Sequence, residues 1–452
     1  KKRKRTSTFL QLLDQDIAEK MALYHWGSNK FGQLGTDTSQ TKCFFSPGLV
    51  DGLQGIRIKS VAAGEGHTVI ATEFGEVLTI GRGREGQLGV TRPNSTIGIR
   101  DDQITLQQVT ALENENIVDV SCGAHSSMAL TSSGRVYMWG LIHEDTDPDT
   151  LNAAMGNTEL ATDLNSMRGE RGEILNRVVA HSRNVWQMAK REEYTDLDDL
   201  TEEAKASLQK SAEEIESEYQ GIMKVNTIRQ PVPAPRLCLS LRGVRVAALS
   251  SGYGHAMALG ADGRLWAYGY NDKGQLGLGH RINSSNFLPV EALRGARVLQ
   301  VACGQHHTLA RVAVGPASGP DDEGAPAACY AWGSHALGQL GLGRMYTGRG
   351  RLRPQRVHAL EEGAGARGAR VAHVAAGGNH SAAVVGRGAN SMVYSWGHGE
   401  YGQHGRTLAE GRDYLIDSHH YYEPQPVEAL RGCGVARVAC GAMYTLGLGR
   451  GG

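Results

Sequence analysis

Apolar and polar residues alternate along most of this chain in short bursts of about five, the period of a strand with one covered face. The runs R-V-Y-M-W, ending at Trp139, and R-L-W-A-Y, ending at Tyr268, show the pattern. Each is preceded by a tight S-S-G or A-D-G turn, as in A-L-T-S-S-G-R-V-Y-M-W-G ending at Gly140. Short alternating runs joined by glycine-bearing turns predict antiparallel hairpins, and hence an all-β chain over most of its length.

From about Leu141 to Gln230 the period changes to a helical one. Ile174, Val178, Val185 and Ala189 follow one helix face, with Leu175, Val179 and Trp186 beside them. Leu197, Leu200, Ala204, Leu208, Ala212, Ile215, Tyr219 and Ile222 form a second stripe, with Thr195 and Asp198 in capping-box spacing at its start. Two such stripes predict a helical hairpin. Acids far outnumber Lys205 and Lys210 between Glu192 and Glu218, so its outer face is expected to be acidic. Pro231, Pro233 and Pro235 then stop the helix and lead back, extended, into the sheet.

The strand-like parts repeat themselves. W-G-S-N-K-F-G-Q-L-G runs from Trp26 and I-G-R-G-R-E-G-Q-L-G from Ile80. Y-G-Y-N-D-K-G-Q-L-G starts at Tyr268, W-G-S-H-A-L-G-Q-L-G at Trp332, W-G-H-G-E-Y-G-Q-H-G at Trp396, and Trp139-Gly140 opens a copy that is interrupted at once. A second phrase precedes each later opening: V-A-A-G-E-G-H-T through Thr68, L-S-S-G-Y-G-H through His255, V-A-C-G-Q-H-H-T through Thr308 and V-A-A-G-G-N-H before Ser381. Weaker copies stand before Ser126 and Thr445. A unit this small cannot bury both faces of its sheet alone, so neighbouring units must stack face to face, the arrangement of a propeller.

Composition adds limits. The 452 residues hold 47 Lys and Arg against 47 Asp and Glu, a formal net charge of zero, which argues against a whole surface built to trap nucleic acid or anionic membrane. Gly 60 is about twice the usual share and fits many tight turns between short strands. The 7 cysteines include no C-x-x-C pair, and Cys122, Cys303 and Cys440 share one repeat position, so they read as buried free thiols in a reducing compartment. No apolar run is long enough to span a bilayer and no signal-peptide core opens the chain, which predicts a soluble, intracellular protein without membrane contact.

The paired phrases G-Q-L-G and G-x-x-H-T, at this spacing and in several copies, resemble the regulator of chromosome condensation repeat. The resemblance covers nearly everything except about residues 1–22 and 141–230. It implies a β-propeller, and family propellers usually have seven blades. Six openings are legible, at Gly27, Gly81, Gly140, Gly269, Gly333 and Gly397, so a seven-bladed ring with irregular closure is expected. The domain reading is a basic arm over 1–22, blades over 23–140, a helical insertion over 141–230 and further blades over 231–452.

His67, His255, His307 and His380 occupy one repeat position, spread over different blades. They read as buried imidazoles bonded to neighbouring backbone, not as a metal or catalytic cluster. Trp26, Trp139, Trp332 and Trp396 read as blade packing, and His398, His404, His419 and His420 with Tyr421 and Tyr422 as an elaborated loop. There is no P-loop, no G-x-S-x-G, no H-E-x-x-H and no Cys/His metal spacing, and G-R-G-R-E-G from Gly81 belongs to the repeated turn. No enzyme chemistry, metal or cofactor is expected.

Specificity is expected where the repeats are broken, because loops on a rigid scaffold carry function. The candidate partner-binding residues are Trp186, Leu197, Leu200, Leu208, Ile215 and Tyr219 in the insertion, and His306 in the propeller. Lys1-Lys2-Arg3-Lys4-Arg5 is suited to nuclear import or to touching nucleic acid, chromatin, tubulin or another acidic surface. The leading reading is a non-enzymatic interaction propeller, a scaffold or adaptor subunit of a larger assembly, nuclear, cytoplasmic, cytoskeletal or ciliary. The alternative is the founding family activity, nucleotide exchange on a Ran-type small GTPase with chromatin association. His306 matches a family histidine; Ala124 and Gly254 stand where exchange factors carry acids, and Tyr444 where a histidine is expected. A nucleotide-displacing wedge would follow Trp139-Gly140, where this chain reads L-I-H-E-D-T-D-P-D.

Overall fold

The computed structural model describes residues 23–35, 43–50, 52–53, 55–91, 101–142, 230–315, 326–343, 350–362, 370–406 and 420–449. The chain divides into two compact units, residues 1–142 with 229–249, and residues 143–228 with 250–452.

In the first unit, β1 (Tyr24–Ser28) and β2 (Cys43–Leu49) form a two-stranded sheet. The strands β3 (Ile58–Ala63), β4 (His67–Thr72), β5 (Val77–Gly81) and β6 (Gln103–Gln108) form a four-stranded antiparallel meander. A second meander holds β7 (Ile117–Cys122), β8 (Ser126–Thr131), β9 (Val136–Ile142) and β10 (Gln230–Leu237). β9 runs on to Ile142, whose Cα partner in β10 is Gln230, so paired strand ends bracket the segment read as a helical insertion. That segment, with Trp186, Leu197, Leu200, Leu208, Ile215 and Tyr219, lies outside the described residues, as does Lys1–Arg5.

The second unit continues the pattern. β11 (Val246–Ser251) begins in the first unit and heads the meander completed by β12 (His255–Gly260), β13 (Leu265–Gly269) and β14 (Ser284–Pro289). The next sheet holds β15 (Val298–Cys303), β16 (His307–Ala313), β17 (Ala327–Gly333) and β18 (Arg351–Arg356). Then come a one-turn helix, α1 (Ala359–Glu362), and the sheet of β19 (Val371–Ala376), β20 (His380–Val385), β21 (Met392–His398) and β22 (His420–Pro426). β23 (Val435–Cys440) and β24 (Thr445–Gly449) form a two-stranded sheet.

Blades stack inside each unit as the repeats require: β7 lies on β3 and β4, β19 on β15 to β17, and β23 on β19 and β20. Each junction is a core. In the first unit Val69, Ala71, Val77, Ile117, Val120, Ala129 and Trp139 interdigitate, and in the second Leu309, Ala331, Leu340, Val371, Ala383 and Trp396. The second strand of each four-stranded blade is covered on both faces; every residue of β12 and β20 is buried. That is why H-A-M-A-L-G and H-S-A-A-V-V are near-continuous apolar runs where the third strands alternate.

The two repeated phrases form one interlock. The Gln of G-Q-L-G uses its side chain locally: Gln275 Oε1 accepts from Lys273 N at 2.9 Å and Gln339 Oε1 from Leu337 N at 2.9 Å. Its backbone carbonyl reaches the following blade. Gln275 O accepts from Trp332 Nε1 at 2.9 Å and from Thr308 Oγ1 at 2.8 Å, and Gln87 O from Trp139 Nε1 and Ser127 Oγ, each at 2.8 Å. The closing glycine is required at this point: Gly277 has φ +71°, and a Cβ there would lie 2.8 Å from Trp332 Nε1.

The recurrent histidines complete the interlock. They are buried as expected, His67, His255 and His380 meet neighbouring backbone, and Nε2 of each also bonds a hydroxyl of the next blade, a partner absent from the sequence reading. His67 Nε2 meets Ser127 Oγ at 2.8 Å, His255 Nε2 meets Thr308 Oγ1 at 3.0 Å, His307 Nε2 meets Ser381 Oγ at 2.9 Å and His380 Nε2 meets Thr445 Oγ1 at 3.0 Å. Each hydroxyl has one hydrogen, already given to a glutamine carbonyl, so the imidazole must donate from Nε2. This leaves Nδ1 bare, buried and without an acceptor for a second proton.

Candidate interaction surface

Two sets of turns emerge at the same end of each blade: the G-x-x-H turn between first and second strands, and the G-Q-L-G turn after the third. Glycine, glutamine and histidine fix their backbone. The x positions are left to vary, and they hold the side chains able to meet a partner.

In the first unit the Arg82 guanidinium lies 5.2 Å from the Phe31 ring centroid, and Lys30 Nζ lies 5.3 Å from it. Arg82 also donates to Glu85 Oε1 at 2.6 Å, and Gln87 Nε2 to Glu85 Oε2 at 3.0 Å. Partial burial alone would raise the Glu85 carboxyl, but these donors hold it below its ordinary range, so it stays ionised. His125 Nε2 stands 3.5 Å from the Glu65 carboxylate across neighbouring blades.

In the second unit the sequence candidate His306 stands beside Tyr253, ring centroids 5.8 Å apart. Burial, with Lys273 acting in the same direction against Asp272, lowers its pKa, so the ring is neutral near pH 7. Its turn is rigid because Gln305 N donates to the carbonyls of Gly377 and Gly378 in the next blade, and Asn379 Nδ2 donates to Gln305 Oε1 at 3.2 Å. Lys273 and Asp272 pair at 3.1 Å. Further round, His398 accepts from Gln403 Nε2 at 3.1 Å, faces Glu400 at 3.3 Å, and has Tyr401 at 6.0 Å. Tyr253 is 41% exposed and Tyr401 59%, large aromatic surface on a polar face.

The exchange-factor positions have clear surroundings. Ala124 is buried. Tyr270 occupies the space a side chain at Gly254 would need, so an acid there is sterically incompatible with this turn. Tyr444 is 56% exposed. The residues after Ile142 that would form a wedge lie outside the described residues.

The other sequence candidates are structural. Trp139, Trp332 and Trp396 are fully buried with their indole N–H groups bonded to glutamine carbonyls. Cys122, Cys303 and Cys440 are free thiols, and burial pushes each to about 12. The loop reading is corrected for four residues: His398 ends β21 and His420, Tyr421 and Tyr422 open β22, while His404 is buried against Tyr421, ring centroids 5.0 Å apart, and His419 lies outside the described residues. Among the described residues no helix is long and apolar enough to cross a membrane. Phe31, Arg82, Tyr253 and Tyr401 were not singled out from sequence; their only signal is that they vary inside an otherwise fixed turn.

Known proteins fit this architecture. The regulator of chromosome condensation (RCC1) repeat matches residues 22–71, 75–130, 262–311, 328–384 and 390–448, with a second form of the repeat at 246–275 and 371–403. The chain is 28% identical over 341 residues to the ultraviolet-B receptor UVR8 of Arabidopsis thaliana, covering 72% of this chain and 63% of the receptor. It is 33% identical over 222 residues to the human E3 ubiquitin-protein ligase HERC2, covering 49% of this chain and 4% of the ligase. It thus spans less than two thirds of the length of either relative. Human WBSCR16 superposes with a TM-score of 0.61 at 19% identity, over 95% of this chain and 82% of that one. Yeast RCC1 (Prp20), solved bound to Kap60, gives 0.59 at 17%, over 96% and 79%. The repeat matches take in more than half of the chain, each set on the strands and turns described above, and the chain belongs to the regulator of chromosome condensation repeat family of β-propellers.

Proposed function

We propose that this chain is a non-enzymatic interaction propeller, a scaffold or adaptor that holds protein partners on the face bearing the G-x-x-H and G-Q-L-G turns. The observation that carries this reading is the exposed pair Tyr253 and Tyr401 on turns locked by inter-strand and inter-blade hydrogen bonds. Aromatic groups on a pre-organised frame bind with little ordering cost, and such residues dominate interface energetics. The test is affinity capture from cells with the wild-type chain and with Tyr253→Ala/Tyr401→Ala, both shown to be folded by thermal unfolding. A specific partner retained by the wild type and lost by the variant supports the reading; identical capture overturns it.

Nucleotide exchange on a Ran-type GTPase is the second reading. His306 beside Tyr253 and Asp272 on the turn face favours it, and the buried Ala124 and excluded side chain at Gly254 count against it. Stopped-flow release of fluorescent GDP from Ran separates the two. Acceleration by orders of magnitude establishes exchange; unchanged release leaves the scaffold reading.

A further inference from the structure

The opposite end of the blades in the second unit holds a cleft of about 300 Å³. It is built from one repeat position. A β-bulge interrupts the first strand of three blades at the same place, between Val298 and Gln300, Val371 and His373, and Val435 and Arg437. The residue after the bulge turns toward the neighbouring blade, so Gln300, His373 and Arg437 line the cleft. Arg311, directly across the ladder from Gln300, and Arg387, on the turn leaving β20, join them.

The charge is one-sided. The described lining holds three guanidinium groups and no carboxylate. Among the described residues, no salt bridge neutralises Arg387 or Arg437. In the first unit the same bulge position is bonded from blade to blade, with Ser60 donating to Asp119 at 2.7 Å. The second unit carries a cation where the first carries an acid.

Hydrogen bonds hold the wall of the cleft in place. The Gln300 amide is fixed by two bonds to the Val374 backbone, at 3.0 and 3.1 Å, and its Nε2 stands 3.1 Å from His373 Nε2. An amide nitrogen can only donate, so His373 Nε2 accepts and its hydrogen sits on Nδ1. That Nδ1 is buried and has no partner. Arg311 is held in place by its own bond from Nε to Val371 O at 2.8 Å.

We propose that this cleft is a binding site for a phosphate monoester, held by Arg311, Arg387 and Arg437. A carboxylate supplies one charge; a phosphate monoester supplies nearly two and three acceptor oxygens, and guanidinium forks match it. The volume suits a single phosphorylated group and not a dinucleotide. The site lies at the blade end away from the G-Q-L-G turns and stands independently of the scaffold reading.

The test is calorimetric titration of the full chain at low salt with inorganic phosphate, then with a phosphoserine peptide and its unphosphorylated form. Saturable phosphate binding, weakened at least tenfold in Arg437→Gln and in Arg387→Gln with unchanged thermal unfolding, supports the site. Tighter binding of the phosphopeptide identifies a phosphorylated partner side chain as the source; equal binding of inorganic phosphate identifies a small ester. No saturable binding of either probe, or variants that bind like the wild type, overturns the proposal.

Discussion

At the scale of single residues, the buried imidazoles are the most consequential groups. His67, His255 and His307 are lowered to about 3, by burial first and by neighbouring imidazoles next. The hydrogen-bond geometry gives the same answer, since a proton added at Nδ1 would sit in the core with nothing to accept it. The folded values lie below the ordinary 6.5, so the unfolded chain takes up these protons first. Stability is therefore complete above about pH 6.5 and drains away as pH falls toward 3. Urea midpoints measured from pH 8 to pH 4 are expected to fall steeply below 6.5, and His307→Gln is expected to flatten that fall. The same variant should cost about 1–3 kcal/mol at pH 8, from the disturbed bond to Ser381. A pH profile identical to the wild type would remove His307 as a contributor. Gly277→Ala meets both a left-handed φ and the Trp332 indole, so a loss of about 2 kcal/mol or more is expected in the same assay.

At the scale of elements, strand position within the blade decides burial. Second strands such as β12, β16 and β20 are covered on both faces, whereas fourth strands such as β18 and β22 are half-covered edges. Hydrogen exchange followed by mass spectrometry should therefore find amides of β12, β16 and β20 the slowest and those of β14, β18 and β22 much faster. Uniform exchange across a blade would contradict this layering. The same gradient explains what the sequence disclosed. W-G, G-Q-L-G and G-x-x-H are legible because each residue in them answers a steric or hydrogen-bonding demand that returns in every blade. Apart from β10, announced by its prolines, fourth strands are not legible: Q-I-T-L-Q-Q, R-L-R-P-Q-R and H-Y-Y-E-P-Q-P share no period, since an edge needs only to be extended and to resist further pairing, which proline and charge accomplish in the latter two. The candidate sites sit where the pattern is silent. Tyr253, Tyr401, His373 and Arg437 occupy positions that the repeat leaves free, and only the bulges and turns of the folded chain bring them to one surface or one cleft. The interlock shows the limit as well. Ser126 stands in the imidazole position of its repeat and Ala256 in the hydroxyl position of the next, so donor and acceptor are lost together, a pairing that has no meaning until the bond from His to the next blade is known.

At the scale of the whole molecule, the long segment 143–229 leaves and re-enters the sheet between two paired strand ends. Ile142 and Gln230 are Cα partners at the ends of β9 and β10, Leu141 pairs with Pro231, and Val232 with Gly140. A two-residue turn is long enough to span that gap, and each halving of a flexible connection lowers its closure cost by about 0.6 kcal/mol. Replacing 143–229 with Asn-Gly is therefore expected to leave a cooperatively unfolding protein with the wild-type near-ultraviolet circular dichroism. It is also expected to keep phosphate binding at the Arg437 cleft, whose described lining lies wholly beyond the excised segment. The excised protein then divides the partner readings. A partner lost on excision but kept by Tyr253→Ala/Tyr401→Ala docks on the segment that carries Trp186, Leu197, Leu200, Leu208, Ile215 and Tyr219, and a partner with the reverse pattern docks on the turn face. If excision abolishes cooperative unfolding, the segment is part of what stabilises the blades, and the view of it as an addition to a self-sufficient hairpin is wrong.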